Sequence, residues 1–540
     1  MGARFTIRGE TRRAFLARVA GATAALWMSG GESVSGMGAA HGRRFHISAS
    51  AHAIETYPDL PEVARAAGIT DVWLAGFLYG TWYRRPDALR ELVAIWERQG
   101  IRTHAINVPL GHPGNALGVS SDSVPTTPPG SWRMARGVDG NWFSGTSVHD
   151  PAPAENARAA RELQDAGFRE LFLDDDFRIA QSPGTIGGCF CDDCRDEFLR
   201  LTGYPASAFE DLRQTIRDRR PTPMLRQWIE FWCDKLWAMI RGMQIAAPRM
   251  AIGPMVMYLG SEKAGIALDR YRRVPFRVGE LMFSDAEFAP VKGKTDELFS
   301  CLFHRRFASP ELAYSETTAY PEDQLSAANM AAKLTISLIG DVRNTMYMSG
   351  LMPFPIEHWA VLGPAMKESA RLHDLVAGHP PRGPFKHYWG WDSRLVGNDQ
   401  PFSLFLATGV PFEVVDDLPD DGWAFLSDAD ARAVAEGRLK PRCRHLVARP
   451  HAATAGPPLT AVPEDLAALF ALKARIAPSL RGVPYVEGEV PVVFAWYPTA
   501  RRGIIWNLTE ASQEFRVVRD GRVVFETRLG PLGVAATARM

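Results

Sequence analysis

Between His46 and Leu375 the chain repeats one pattern: a short apolar run, then a longer stretch with helical spacing. The runs fall at His46–Ala51, Thr70–Phe77, Arg102–Val108, Glu170–Leu173, Met250–Tyr258, Val278–Phe283, Glu311–Ser315 and Asn344–Met348. Helical segments such as Asp87–Gln99, Pro153–Ala166 and Leu225–Ala247 lie between them. Eight such runs, each followed by a helix or a long loop, predict an α/β fold of the (β/α)8 type, a TIM barrel, over residues 42–377. An open doubly wound sheet is the rival arrangement. It is disfavoured because no GxGxxG turn follows the first strand. Asp150 stands where it could cap the helix that begins near Pro153.

At 540 residues the chain exceeds one ordinary domain. Its character changes at the Pro/Gly-rich stretch Gly378–Pro384. A second α/β unit is expected over residues 385–480, with Phe402–Ala407 and Asp428–Glu436 as helices and Phe412–Val415 and His445–Val447 as strands. Strand patterns follow at Val490–Tyr497, Gly503–Asn507, Glu514–Arg519 and Val523–Arg528, and Asp520-Gly521 is a strong hairpin signal. These predict a small antiparallel β-sandwich over residues 488–540.

Residues 1–40 read as an address rather than as part of the fold. Arg12-Arg13, then Phe15-Leu16, a weakly apolar stretch to Trp27 and small residues near Gly38-Ala39-Ala40 resemble a twin-arginine export signal. The expected location is therefore periplasmic or secreted. No later stretch approaches the length of a membrane span, so the mature form is expected to lack a membrane segment. Acidic and basic residues balance at 61 each, without the basic excess of a nucleic-acid binder. Fifteen Trp supply flat faces that suit sugars, although most are expected in the core.

The segment Leu171–Cys194 carries the densest chemistry. Asp174, Asp175 and Asp176 end an apolar run, and the cluster Cys189-x-Cys191-x-x-Cys194 follows. Three thiols this close suggest a metal site more than a disulfide framework. Cys233, Cys301 and Cys443 stand alone in apolar surroundings and read as buried small residues. In a TIM barrel the C-terminal strand ends form the mouth, where chemistry occurs. That rule gathers Asp174, Asp175 and Asp176 from strand 4, Asp285 and Glu287 after strand 6, and Glu316 after strand 7. Strands 2 and 3 add Trp82, Tyr83, Asn107 and His112. Each acid could instead cap a helix or pair with an Arg. Glu316, a lone acid followed by Thr317 and Thr318, is the hardest to read that way. Carboxylates and rings around one mouth suit a glycoside or oligosaccharide, with a pair of acids flanking the bond to be cut.

These motifs and the order of the modules resemble family 42 glycoside hydrolases, the β-galactosidase-type barrels. The resemblance places Asp175-Asp176 where that family has Asn-Glu, and Glu316 on its nucleophile. It places Cys189, Cys191 and Cys194 on the ligands of a structural zinc, with His149 in Val148-His149-Asp150-Pro151 as the fourth. It also implies trimer formation through the second unit, to which Phe402–Val415 is similar. The chain departs from the pattern in three ways: Asp-Asp replaces Asn-Glu, the loop to the cysteines is longer, and Glu357 and His358 after strand 8 are adjacent rather than three apart.

The expected activity is that of a retaining glycosidase. Glu316 would attack the sugar and Asp176 (or Asp175) would serve as acid and then base, with the two carboxyl groups about 5–5.5 Å apart. Asp174, Asn107, Trp82, Asp285, Glu287, Glu357 and His358 are candidates for holding the substrate. Two alternatives stay open: a non-catalytic carbohydrate-binding protein on a hydrolase-like barrel, and a metal-dependent carbohydrate deacetylase using Asp174–Asp176 as ligands.

Overall fold

A computed structural model describes residues 42–110, 128–142, 146–174, 177–279, 281–350, 352–453 and 459–540. Arg43–Met540 cluster as one unit, to which the following applies. Residues 1–40, read above as an export signal, lie outside the described residues, as does His112. Among the described residues no helix is long and apolar enough to cross a membrane.

Eight parallel strands close into a barrel: β1 (Arg44–Ala49), β2 (Asp71–Leu78), β3 (Arg102–Val108), β4 (Glu170–Leu173), β5 (Ala251–Met257), β6 (Phe276–Gly279), β7 (Ala313–Thr318) and β8 (Asn344–Met348). Closure is made by β1, which pairs His46 with Asp71 on one side and Arg44 with Asn344 on the other. Trp73 and Ala75 of β2, Ile106 and Val108 of β3, Phe172 of β4, Tyr314 of β7 and Met346 and Met348 of β8 form one buried cluster. Their two-residue alternation marks the inward face. It follows that Glu316 and Thr318, in phase with Tyr314, point inward as well.

Three strands differ from expectation by two residues or more at an end; the one predicted at His46–Ala51 is Arg44–Ala49, and Ala51 opens the helix Ala51–Thr56. The strand predicted at Glu311–Ser315 begins only at Ala313, because a turn on Ser309 leaves Glu311 exposed outside it. It then continues through Thr318, so Glu316 lies within β7 rather than after it. The strand predicted at Val278–Phe283 is the shorter Phe276–Gly279. The helix near Pro153 spans Ala152–Asp165 and takes no side-chain cap from Asp150.

Beyond the barrel, β9 (Phe385–Tyr388), β10 (Phe412–Val415), β11 (Trp423–Leu426), β12 (His445–Ala448) and β13 (Leu459–Ala461) form a parallel sheet in the order β10-β9-β11-β12-β13. The expected helix at Phe402–Ala407 is a short 3-10 turn, Leu404–Ala407. Two antiparallel sheets follow. One joins β14 (Tyr485–Val486), β17 (Gln513–Arg519) and β18 (Arg522–Leu529); the other joins β15 (Val492–Tyr497), β16 (Arg502–Asn507) and β19 (Val534–Ala536). Val486, Phe515 and Val517 from the first share a core with Val492, Phe494 and Ile505 from the second. Asp520 and Gly521 both have positive φ, 52° and 74°, and join β17 to β18 in the two-residue turn their sequence favours.

Buried ion pairs join the barrel to the second sheet. After β5, Glu262 pairs with Arg394, and Lys263 meets Asp399 at 2.5 Å, all four side chains being buried. Such pairs fix orientation more than they add stability, but losing one partner strands a buried charge.

Asp71 anchors the N-terminal end of the barrel. Its carboxylate is fully buried, accepts from His104 Nε2 at 2.9 Å, Thr70 Oγ1 at 2.6 Å and Arg102 at 3.1 Å, and pairs with Arg44. Burial would raise its pKa, but the His104 hydrogen bond and the His46 and Arg44 charges outweigh that and hold the carboxyl well below the usual range. A depressed carboxyl stabilises the fold above the unfolded-state pKa, about 3.9, and that contribution is lost as pH falls. We expect Asp71→Asn to cost about 3 kcal/mol at neutral pH, read as a lower urea midpoint, and the difference from wild type to shrink below about pH 4. An unchanged midpoint would remove Asp71 from this role.

Candidate active site and metal centre

Glu316 is nearly closed off, at 4% exposure, near the C-terminal end of β7. Thr318, two residues on and on the same face, donates its hydroxyl to Glu316 Oε1. Glu316 Oε2 faces Arg277 Nε at 3.0 Å. Arg277 belongs to β6, is wholly buried, and also pairs through its Nη2 with Asp174 at the end of β4. Its Nη1 points at the sulfurs of Met346 and Met348, 3.0 and 3.2 Å away, and its guanidinium lies 5.4 Å from the Phe172 ring. Burial lowers the Arg277 pKa and Glu316 raises it, the first effect being larger. An arginine stays charged even so. One cation thus bridges two carboxylates inside the barrel.

Asp175 and Asp176, the candidates for acid and base, lie outside the described residues. The remaining candidates divide. Asn107 is buried, and its Oδ1 accepts from Phe77 N at 2.9 Å, supporting the irregular end of β2. Trp82 packs edge-on against Phe77, ring centroids 5.3 Å apart. Asp285 Oδ1 accepts from Ser326 N, Ser326 Oγ and Asn329 Nδ2 at 2.8–3.0 Å, tying the start of the helix Ala327–Ile339. Glu287 closes a capping box with Ser284, accepting from Phe283 N and Ser284 N at 2.9 and 3.1 Å. Both therefore have the helix-end roles open to any acid after an apolar run. Glu357 is exposed, while His358 is half-buried and stacks on Phe354 at 5.9 Å. Burial lowers the His358 pKa, against the pull of Glu357 and Asp285. We expect Glu287→Ala to cost about 1 kcal/mol, seen as a small fall in Tm, with kcat/KM essentially retained. A large loss of turnover at unchanged Tm would return Glu287 to the substrate.

The cysteine cluster is built by close backbone approach. Gly187 and Gly188 precede Cys189; a Cβ on Gly187 would meet Ile179 O at 2.1 Å, and one on Gly188 would meet the Trp228 ring at 2.6 Å. This close passage sets Cys189 beside the start of the helix Asp192–Thr202, with Cys191 as its N-cap and Cys194 in its first turn. His149 Nε2 stands 3.5, 3.6 and 3.8 Å from the sulfurs of Cys189, Cys191 and Cys194. All four donor atoms lie within 4.8 Å of one another. Zn–S near 2.3 Å and Zn–N near 2.0 Å at tetrahedral angles put S and N about 3.5 Å apart, so the donor set fits an ion of that size. Arg136 N donates to Cys189 Sγ at 3.3 Å, and Arg133 spans His149 Nδ1 and Asp193 at 2.7 and 2.6 Å.

From residue 177 onward the loop between β4 and the cysteines is held at three points. Ile179 N and Gly187 N donate to Ala264 O and Lys263 O beyond β5, and Gly184 N donates to Asp399 Oδ2 at 2.6 Å. Sequence reading missed Arg277. An Arg inside the apolar stretch Pro275–Gly279 was the available signal, since a cation there needs buried carboxylates.

No protein-family model matches the sequence, and no curated protein matches it. Solved structures do. The β-galactosidase of Rahnella sp. R3 aligns with a TM-score of 0.58 at 11% identity, over 92% of this chain and 98% of that one. The enzyme of Bacillus circulans sp. alkalophilus aligns at 0.59 and 9% identity, over 92% and 99%. A catalytic mutant of Gan42B, a family 42 β-galactosidase from G. stearothermophilus, aligns at 0.57 and 11% identity, over 92% and 98%. At such identities the likeness is one of fold, and it extends beyond the barrel to nearly the whole chain.

Proposed function

We propose that the protein is a glycoside hydrolase that cleaves with retention. The observation that carries this is Glu316, an inward-facing buried carboxylate held by Thr318 and Arg277 near the mouth end of β7, in a fold shared with β-galactosidases. Glu316 attacks the anomeric carbon as the bond to the leaving oxygen breaks. Asp176, or Asp175, gives that oxygen its proton. The same acid, now a base, takes a proton from water, which displaces Glu316 and frees the sugar. Asp174 has another partner, Arg277, which weakens the deacetylase alternative because that requires Asp174 as a metal ligand.

Zinc is the cofactor we propose for Cys189, Cys191, Cys194 and His149. Its contribution when bound is structural, since four protein donors leave no position for water. The site pins the segment that carries the acid. Export by the twin-arginine route, which delivers folded proteins, and assembly into a trimer through the second sheet complete the reading. They rest on the N-terminal motif and on the family resemblance.

The test is a panel of aryl glycosides, β-D-galactoside first, with the first-formed anomer identified by NMR. Retention of configuration is expected. Binding without turnover across the panel would leave a carbohydrate-binding protein, and inversion would assign Glu316 a base role.

A further inference from the structure

We infer that Arg277 and Asp174 act together as a charge-balancing pair that positions Glu316, so that Asp174 is neither the acid nor a sugar ligand. This rests on the reading of Glu316 as the nucleophile. The geometry is unusual for a structural salt bridge. Arg277 is completely buried inside the barrel, with Phe172 and the Met346 and Met348 sulfurs around it, and it reaches two acids from two other strands. A core needing only apolar filling would not place a permanent cation there, where desolvation is costly. Two carboxylates on one guanidinium leave the trio with a net negative charge.

That surplus has a purpose in a covalent step. When Glu316 bonds to the anomeric carbon, the leaving oxygen departs with the acid's proton and Glu316 becomes a neutral ester. The Arg277–Asp174 pair is then balanced, and no buried cation is left alone. With Glu316 as its only partner, Arg277 would be stranded at that stage and the intermediate would be disfavoured. Asp174 therefore works through Arg277 on Glu316, and its paired oxygen is committed there. Thr318 fixes the other Glu316 oxygen. Behind β7, Glu297 and Lys333 line the same small cavity as Glu316 with Tyr258 and Cys301, but are paired with each other at 2.9 Å. Arg277 is thus the charged contact of Glu316 among the described residues.

The experiment uses the full chain with Arg277→Met, Arg277→Lys and Asp174→Asn, together with a thermal-stability cycle that combines Arg277→Met with Glu316→Gln and needs no turnover. Arg277→Met is expected to lower kcat on an activated aryl glycoside at least tenfold with KM little changed, and Arg277→Lys to restore most of it. In the cycle the fall in Tm caused by Arg277→Met should be clearly smaller in the Glu316→Gln background, because the two side chains are partners. Asp174→Asn is expected to keep the alkaline limb of kcat/KM and to form no glycosyl azide when azide is added, because the acid/base residue is intact. Additive Tm changes in the cycle, or an unchanged kcat in folded Arg277→Met, would overturn the proposal. So would glycosyl azide formation or a lost alkaline limb in Asp174→Asn, which stays informative if the Met variant does not fold. Absence of turnover in wild type would instead defeat the functional reading, while the cycle would still report whether Arg277 and Glu316 are coupled.

Discussion

Glu316→Ala is expected to lower kcat/KM on an activated aryl glycoside by on the order of 10⁴-fold or more while leaving the chain folded. The size follows from the role: removing a nucleophile removes the covalent route, and binding and acid assistance supply only what remains. The fold should survive because Arg277 keeps Asp174 as its counter-ion. Shortening the side chain opens a small space beside the anomeric carbon, into which azide or formate can enter. Added anion should therefore restore turnover, with a product of inverted configuration. A merely structural Glu316 predicts the reverse pattern: a large fall in Tm and no rescue. Full activity in the alanine variant would eliminate the nucleophile outright.

How much of this was legible in the sequence depends on the kind of signal. The eight barrel strands were, as short apolar-rich runs alternating with stretches of helical spacing. The end of β7 was not, since Thr317 and Thr318 look like loop residues. Pairing of Thr317 and Thr318 with Tyr347 and Met348 of β8 continues the strand, and the Thr318 hydroxyl is placed on Glu316. In the second sheet, Phe385–Tyr388 and Trp423–Leu426 carry a weaker signal; Lys386 and His387 break the apolar run of the first. Asp285 and Glu287 show a real ambiguity: an acid just past an apolar run looks the same whether it faces a substrate or caps a helix, and here both carry hydrogen bonds of about 3 Å to helix ends. The cysteine spacing was legible by itself. His149 was found only through the family resemblance, because forty residues of intervening chain carry no local pattern; the structure brings its Nε2 within 3.8 Å of all three sulfurs. Arg277 left no periodic trace at all.

Purified protein is expected to contain one zinc per chain, and Cys191→Ser to lose it together with a large part of its thermal stability. The free energy of a closed zinc site reaches about 10 kcal/mol or more in small modules. That is an upper bound here, since the barrel has its own core, but it far exceeds the roughly 1 kcal/mol of a helix cap. The loss should be local first. Cys189, Cys191 and Cys194 end the same loop that begins at Asp174, and backbone bonds from Ile179, Gly184 and Gly187 hold the part between. Freed at the cysteines, the segment carrying Asp175 and Asp176 can shift by an ångström, which for an acid aimed at a leaving oxygen costs about 10²-fold in rate. The loss should therefore fall on substrates with poor leaving groups and spare those with good ones, because the latter need little proton assistance. Exchange of zinc for cobalt then separates the two possible roles of the metal. A structural ion leaves kcat and its pH profile in place when cobalt takes the same four donors, whereas a catalytic ion would move the profile with the acidity of its bound water. Protein with full activity and no metal would return the cluster to free thiols.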